Sequence, residues 1–456
     1  MSLTRQQQLE SDYMMHTYGR KPVQFVRGEG IYLFDDEGKR YLDFLAGIGA
    51  VSVGHCNPAV TAAITQQINQ LVHVGNYFYI EGRGELAVKL DTLLSASETT
   101  DEGGWKVFFA NSGAEANEGA IKLARKYGKE KLAGATTIVT AQKSFHGRTL
   151  ASLAATGQEA KQAVFAPMPA GFVHVPLNDV AALKDVLDQQ GNGGSGASGS
   201  GASSTGASGS GASSTGASGS GASSTDASST AASGSGANNT DGAVCAVMLE
   251  CIQGESGVWP CDESYLKAVR ELTSERGILL MIDEVQTGFF RTGTYPFAYQ
   301  HAGIVPDVVS MAKGIANGVP IGAFAARGSL GDLLKPGEHG STFGGSPLAI
   351  AAANATIDEL IRISAATNVT QIGDYFAGKL ACLPKVNEVR GKGLMRAVQL
   401  TEPIAVAVVD AALACGLIIN AIGDSTLRFL PPLVVSHEHI DEALAILESI
   451  LAKETI

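Results

Sequence analysis

The run Ile278-Leu279-Leu280-Met281-Ile282 breaks abruptly into two carboxylates, Asp283 and Glu284, and continues as Val285-Gln286-Thr287-Gly288. An apolar run ending in acids reads as a buried parallel strand that delivers Asp283 at its carboxyl end, where open α/β sheets bind ligands. Further along, Lys313 sits in Ala312-Lys313-Gly314-Ile315-Ala316-Asn317-Gly318. Small neighbours leave its amine reachable by something flat, and apolar walls disfavour the ammonium form and free the amine as a nucleophile. A buried acid with a buried amine is what pyridoxal phosphate requires: an amine to bond its aldehyde carbon, and an acid to keep its pyridine nitrogen protonated so that the ring accepts electrons. Each residue alone has a plainer reading. An aspartate at a strand end is ordinarily a helix cap or ion-pair member, and a lysine beside glycines is ordinarily at the surface.

Two further motifs add chemistry. Asn111-Ser112-Gly113-Ala114-Glu115-Ala116-Asn117-Glu118 follows an apolar segment, 107–110, and opens a helix. Free backbone N–H groups at a helix start, a glycine that permits close approach and the Ser112 hydroxyl make an anion site suited to a phosphate, although the same junction could be a good helix cap and no more. Phe145-His146-Gly147-Arg148-Thr149 follows the segment 137–140. It offers a flat ring to stack on a ring and a guanidinium fork for a carboxylate, or else a core phenylalanine and a surface charge.

Taken together these motifs resemble the class III (ornithine-type, fold type I) pyridoxal-phosphate aminotransferases, from about Tyr18 to Leu451. The resemblance implies that Lys313 carries the cofactor and Asp283 pairs with its ring nitrogen. It implies that Ser112, Gly113 and Ala114 hold the phosphate, that Phe145 and Val285 face the two sides of the ring, and that Gln286 meets the phenolic oxygen. Arg148 would bind the distal substrate carboxylate and Arg428, in Leu427-Arg428-Phe429-Leu430-Pro431-Pro432, the proximal carboxylate of glutamate. Glu255 would neutralise Arg428 whenever a terminal-amine donor occupies the site. Gly340-Ser341-Thr342-Phe343-Gly344-Gly345 resembles the segment that reaches the neighbouring subunit's phosphate through Thr342, with Ser341 a substrate contact, so a homodimer is implied. Where the family usually reads Glu-Pro-Ile-Gln-Gly-Glu, this chain has Glu250-Cys251-Ile252-Gln253-Gly254-Glu255; losing the proline relaxes that backbone and keeps both carboxylates.

Tyr18-Gly19-Arg20, Gly54-His55-Cys56-Asn57-Pro58 and His73-Val74-Gly75-Asn76 resemble the acetylornithine subgroup more than the ornithine, 4-aminobutyrate or diaminopelargonate ones. The implied reaction converts N2-acetyl-L-ornithine and 2-oxoglutarate to N-acetyl-L-glutamate 5-semialdehyde and L-glutamate, a step of arginine biosynthesis. Ornithine, succinylornithine, succinyldiaminopimelate and 4-aminobutyrate are the alternative donors. A non-catalytic cofactor-binding regulator is the reading from a different class; it would not need the lysine chemistry, and no DNA-binding segment accompanies it.

The chain has 456 residues, 45% of them hydrophobic, enough for a large core and two or three domains. Its net charge of −12 argues against nucleic-acid or anionic-membrane partners. The polar start and the lack of a long apolar run point to the cytosol. The six cysteines lie far apart without metal spacing and read as reduced packing residues, with no metal site.

Residues 191–242 stand apart. They are almost wholly Gly, Ala, Ser and Thr, with GASGSGASST three times in tandem at 196–225, and such a segment reads as a disordered insertion. Lengthening a loop from about 6 to about 52 residues costs only ~2 kcal/mol in closure entropy. Around it, helical patterns (59–71, 84–94, 114–126, 264–275) alternate with short apolar strands (107–110, 137–140, Val244–Leu249, 278–282, 308–310). This is an α/β pattern with a mainly parallel sheet flanked by helices. Hairpin turns at Gly28-Glu29-Gly30 and Asp36-Glu37-Gly38 mark the N-terminal end. The expected division is a large cofactor domain, 59–335, with a smaller α+β domain formed by 1–58 and 336–456, whose packing together is implied by the resemblance.

Overall fold

The computed structural model describes residues 2–98, 103–191 and 242–454, so the repetitive insertion expected to be disordered lies outside the described residues. The central sheet contains β1 (Trp105–Ala110), β2 (Thr137–Ala141), β3 (Phe172–Val175), β4 (Val244–Leu249), β5 (Leu279–Asp283), β6 (Val308–Met311) and β7 (Gly322–Arg327). Their order across the sheet is β1-β7-β6-β5-β4-β2-β3. Only β7 is antiparallel to its neighbours, pairing Met311 with Ala323 on one side and Ala110 with Gly322 on the other. Every residue of β4 and β5 is buried, which is why both read as continuous apolar runs instead of alternating ones. Helices cover both faces; the longest, α1 (Gly113–Lys131), buries Ala116, Ala120, Leu123 and Ala124 at helical spacing against the sheet.

Both chain ends contribute to one small sheet. Strands Phe25–Glu29, Tyr32–Asp35 and Arg40–Asp43 form the expected N-terminal meander, and Arg40–Asp43 pairs in parallel with Leu417–Ile418 from the far end of the chain. A second sheet holds Val386–Lys392, Met395–Leu400, Thr426–Phe429 and Asn420–Ile422. Helix Pro347–Arg362 bridges the regions, packing on helices Pro58–Ile68 and Arg83–Leu94 and on the turn Lys313–Ala316. Among the described residues no helix is long and apolar enough to cross a membrane.

One expectation needs correction. Cys245, Cys251 and Cys261 are buried packing residues, but Cys56, Cys382 and Cys415 are exposed, so packing accounts for only half of the cysteines. The polar N-terminal residues form a helix over Leu3–Tyr13 that buries none of its residues.

Candidate active site

The carboxyl ends of β1, β2, β4, β5 and β6 converge on one cavity of about 360 Å³. Because β7 runs the other way, it brings its amino end, with Val319, Pro320 and Ile321 just before it, to the same rim. Ten of the expected residues line this cavity: Ser112, Gly113, Ala114, Phe145, Arg148, Glu255, Asp283, Val285, Gln286 and Lys313. Arg428, Ser341 and Thr342 do not line it.

Asp283 ends β5 and is 4% exposed. Its Oδ2 accepts from Asn117 Nδ2 at 2.8 Å and lies 2.8 Å from His146 Nδ1, while Oδ1 accepts from the Val285 N–H at 3.0 Å. Burial would push the His146 imidazolium pKa down, but the hydrogen bond and charge of Asp283, with Glu250 nearby, outweigh it and raise the net value. The contact with Asp283 therefore favours the protonated form of His146 more than burial opposes it. Neither Asn117 nor His146 was singled out from sequence. Both lay within recognised motifs: Asn117 is one helical turn beyond Gly113, on the α1 face turned to Asp283, and His146 follows Phe145.

Lys313 stands just past β6 at φ +42°, in the left-handed region that costs a non-glycine residue strain. The turn it opens is clamped from the N-terminal segment: Ser52 Oγ donates to Gly314 O at 2.8 Å, Asn317 Oδ1 accepts from Val53 N at 3.0 Å, and Asn317 Nδ2 donates to Gly54 O at 2.8 Å. Burial drives the Lys313 ammonium pKa below the usual lysine value, against the attraction of Glu255, so the free amine is more accessible there than in water.

Ser112 caps α1, its Oγ accepting from Glu115 N at 3.2 Å, and Ser112, Gly113 and Ala114 line the cavity at the positive end of the helix dipole. Gly113 is required by packing, because a Cβ there would come within 2.7 Å of Val285 Cγ1. Phe145 is anchored through its N–H, which donates to Glu250 Oε2 at 2.8 Å. Glu250 also accepts from Gly254 N at 3.3 Å, and burial pushes its carboxyl up to about 7.

Arg428 lies in the strand Thr426–Phe429, 2% exposed, behind Glu255. Its Nη1 donates to Glu255 Oε1 at 2.6 Å and to Gly254 O at 2.9 Å, and its Nε to Asn420 Oδ1 at 2.8 Å. Burial alone would raise the Glu255 pKa, but the charges of Arg428 and Lys313 and two hydrogen bonds bring it down to about 2. The loop carrying Glu255 is not slackened by Cys251: Ile252–Gln253 pairs with Trp259–Pro260, and Cys261 N donates to Cys251 O at 2.8 Å. Ser341 instead organises its own loop, its Oγ accepting from Asn111 Nδ2 and from Gly344 N, each at 3.0 Å, and Thr342 is exposed beside it.

The residues fit pyridoxal phosphate on independent grounds. A helix start faces an aromatic ring, a buried carboxylate held by two donors and a lysine with a weakened hold on its proton, and the buried Gln286 Oε1 has no hydrogen-bond partner. Residues 13–195 and 213–451 match the aminotransferase class-III family. The chain belongs to this family. As a class III aminotransferase it is a pyridoxal-phosphate-dependent enzyme. It is 42% identical to the acetylornithine aminotransferase of Caldanaerobacter subterraneus subsp. tengcongensis, over 97% of this chain and 98% of that one. It is 43% identical to that of Gloeobacter violaceus, over 98% of each. Among solved structures, the ornithine aminotransferase of Toxoplasma gondii superimposes with a TM-score of 0.81 at 27% identity, covering 99% of this chain and 95% of that one. The acetylornithine aminotransferase of Elizabethkingia anophelis does so with 0.76 at 29% identity, covering 99% of both. These neighbours share the fold type I architecture expected from the strand and helix pattern.

Proposed function

We propose that this class III aminotransferase exchanges the terminal amine of N2-acetyl-L-ornithine with 2-oxoglutarate, giving N-acetyl-L-glutamate 5-semialdehyde and L-glutamate, as a cytosolic step of arginine biosynthesis. The observation that carries this reading is the pairing of Arg428 with Glu255 at 2.6 Å while Arg148, at the mouth of the cavity, has no ion-pair partner among the described residues. A terminal-amine donor keeps its carboxylate several bonds from the reacting carbon and needs only Arg148. Glutamate carries a second carboxylate next to that carbon and needs Arg428 as well. An unpaired Arg428 facing an apolar donor chain would be costly in a dry pocket, and Glu255 covers it.

Bound at Lys313, the cofactor supplies an electron sink for the carbon that gains or loses the amine. Asp283, oriented by Asn117 and His146, keeps a proton on the ring nitrogen, and the Lys313 amine moves the proton at the reacting carbon. Phe145, Val285 and Gln286 line the same cavity, where the first two would confine the cofactor ring and Gln286 would meet its phenolic oxygen. Thr342, exposed and outside the cavity of its own chain, sits beside exposed Phe343 on a loop that Asn76 Nδ2 fastens at Ser341 O, 2.8 Å away, and completes the phosphate site of a second subunit in the proposed homodimer.

The test joins two measurements. Borohydride treatment of the purified yellow protein should fix the cofactor to the peptide containing Lys313. Half-reactions followed by cofactor absorbance should then place N-acetylornithine among the best of a panel with ornithine, succinylornithine, succinyldiaminopimelate and 4-aminobutyrate. A label on another lysine would overturn the site, and a poor rate with N-acetylornithine would overturn the substrate.

A further inference from the structure

A second cation lies against the Phe145 ring, whose residue lines the cavity together with Arg148. Arg148 Cζ lies 5.7 Å from the Phe145 ring centroid and Lys161 Nζ lies 5.2 Å from it. Among the described residues neither cationic group has a hydrogen bond or ion-pair contact. Lys161 belongs to the short helix Glu159–Ala163, which two glutamines fasten to nearby backbone. Gln158 Nε2 donates to Ser144 O at 2.9 Å, beside Phe145, and Gln162 Nε2 donates to Thr156 O at 2.6 Å. The lysine is therefore placed by a fixed scaffold. The two carboxylates whose charges it feels are already committed, Glu255 to Arg428 and Gln286, and Glu250 to the Phe145 and Gly254 N–H groups. Burial, and then the charge of Arg148, lower the Lys161 pKa, as befits a cation facing another cation without its anion.

We propose that Lys161 is a second cation of the subsite for the end of the amino donor remote from the reacting amine, where it selects donors whose α-amine is acylated over donors in which that amine is a free ammonium. The inference deepens the reading of the same site given above and rests on it. An acylated donor presents a carboxylate beside a neutral amide, and both cations attract it. Free ornithine presents the same carboxylate beside an ammonium, which two cations repel. Specificity between the two donors is thus set by a repulsive element as well as an attractive one. Donors with a further carboxylate on the acyl group are served by the same pair of charges.

The experiment compares the holoenzyme with its Lys161→Met and Lys161→Arg variants, measuring kcat/KM for N-acetylornithine and ornithine. Lys161→Met should lower the N-acetylornithine-to-ornithine ratio roughly three- to tenfold, mostly through KM, since one screened charge at about 5 to 6 Å acts on that scale. Lys161→Arg should restore the ratio. Added salt should shrink the wild-type ratio more than that of Lys161→Met, in which only Arg148 remains to act on the ammonium. A ratio unchanged in Lys161→Met, or an equal loss with both donors, overturns the proposal; Lys161→Gln gives the same comparison if the methionine variant does not fold. N-Acetyl-L-norvaline, which keeps the acylated end and lacks the reacting amine, supplies a binding readout: its Kd should rise by a similar factor in Lys161→Met, and an unchanged Kd refutes the role of Lys161. A wild-type enzyme that transaminates neither donor would refute the substrate reading instead, and the norvaline derivative would still test Lys161.

Discussion

Glu255 Oε1 accepts from Arg428 Nη1 at 2.6 Å and from Gln286 Nε2 at 3.0 Å, so a single carboxylate oxygen joins a strand of the C-terminal sheet to the loop that follows Asp283. The guanidinium it covers is almost wholly buried, and two further N–H groups of it, on Nη1 and Nε, donate to Gly254 O and Asn420 Oδ1. Swinging Glu255 away would bare a fixed, preorganised cation at the cavity wall, so a carboxylate can be recognised without moving the arginine.

This arrangement separates the two half-reactions. Arg428→Ala should slow the glutamate half-reaction by about 100-fold or more, in line with losing a charge-assisted bidentate contact, and change the terminal-amine half several-fold at most. Glu255→Ala should shift preference toward glutamate, and Arg148→Ala should weaken both halves. Stopped-flow absorbance of each half-reaction is the measurement, and equal slowing of both halves in Arg428→Ala would remove the switch.

Asn117 and His146 both meet Asp283 Oδ2 at 2.8 Å. Deleting one donor to a buried carboxylate costs about 1.5–3 kcal/mol, so Asn117→Ala or His146→Ala should weaken cofactor binding about 10- to 100-fold. Titration of the cofactor-free protein with pyridoxal phosphate measures this. Affinities equal to wild type would show that Asp283 needs no orienting partners.

Glu284 gives a pH signature separate from catalysis. It is fully buried, with Oε2 accepting from Thr287 Oγ1 at 2.5 Å and Oε1 from Tyr299 N at 2.9 Å. Burial raises its carboxyl from 4.5 to about 7 despite those hydrogen bonds. The folded state therefore holds this proton more tightly than the unfolded chain does. That contribution to stability is complete below about pH 4.5 and is lost as pH rises through about 7, a difference of about 3 kcal/mol. Glu284→Gln keeps a neutral acceptor, so its melting temperature relative to wild type should improve between pH 5 and pH 8. A difference that does not change with pH would contradict the buried-acid account.

The phosphate loop rests on β7. A Cβ at Gly322 would lie 2.2 Å from Ser112 O, and Ser112 is backbone that cannot yield cheaply. Gly322→Ala should displace Ser112 and Gly113, lowering cofactor affinity without touching the cavity itself, and thermal unfolding with and without pyridoxal phosphate should show a reduced ligand-induced rise. A full rise would mean the loop is held by other contacts.

The residues 278–282, Asp283 and Lys313 could be read directly because their signal is local: an apolar run marks a buried strand wherever it pairs, and motif neighbours fix what each strand end delivers. Strands β4 and β5, helix α1 and the parallel sheet follow from the same period and burial rules. β7 escaped, since Gly322-Ala323-Phe324-Ala325-Ala326-Arg327 has the small residues that crowding against α1 and the Ser112 backbone demands, and neither neighbour is close in sequence. The roles of Asn117, His146, Glu250 and Lys161 were equally hidden. A side chain becomes an orienting donor or an unpaired cation only through the partners around it, and those partners are placed by chain crossovers of up to 166 residues, as between Asn117 and Asp283. Sequence pattern determined which elements form and which chemistry they carry; tertiary packing decided which charges are paired, which are buried and which face the cavity, because electrostatic energy depends on distance and desolvation rather than on order along the chain.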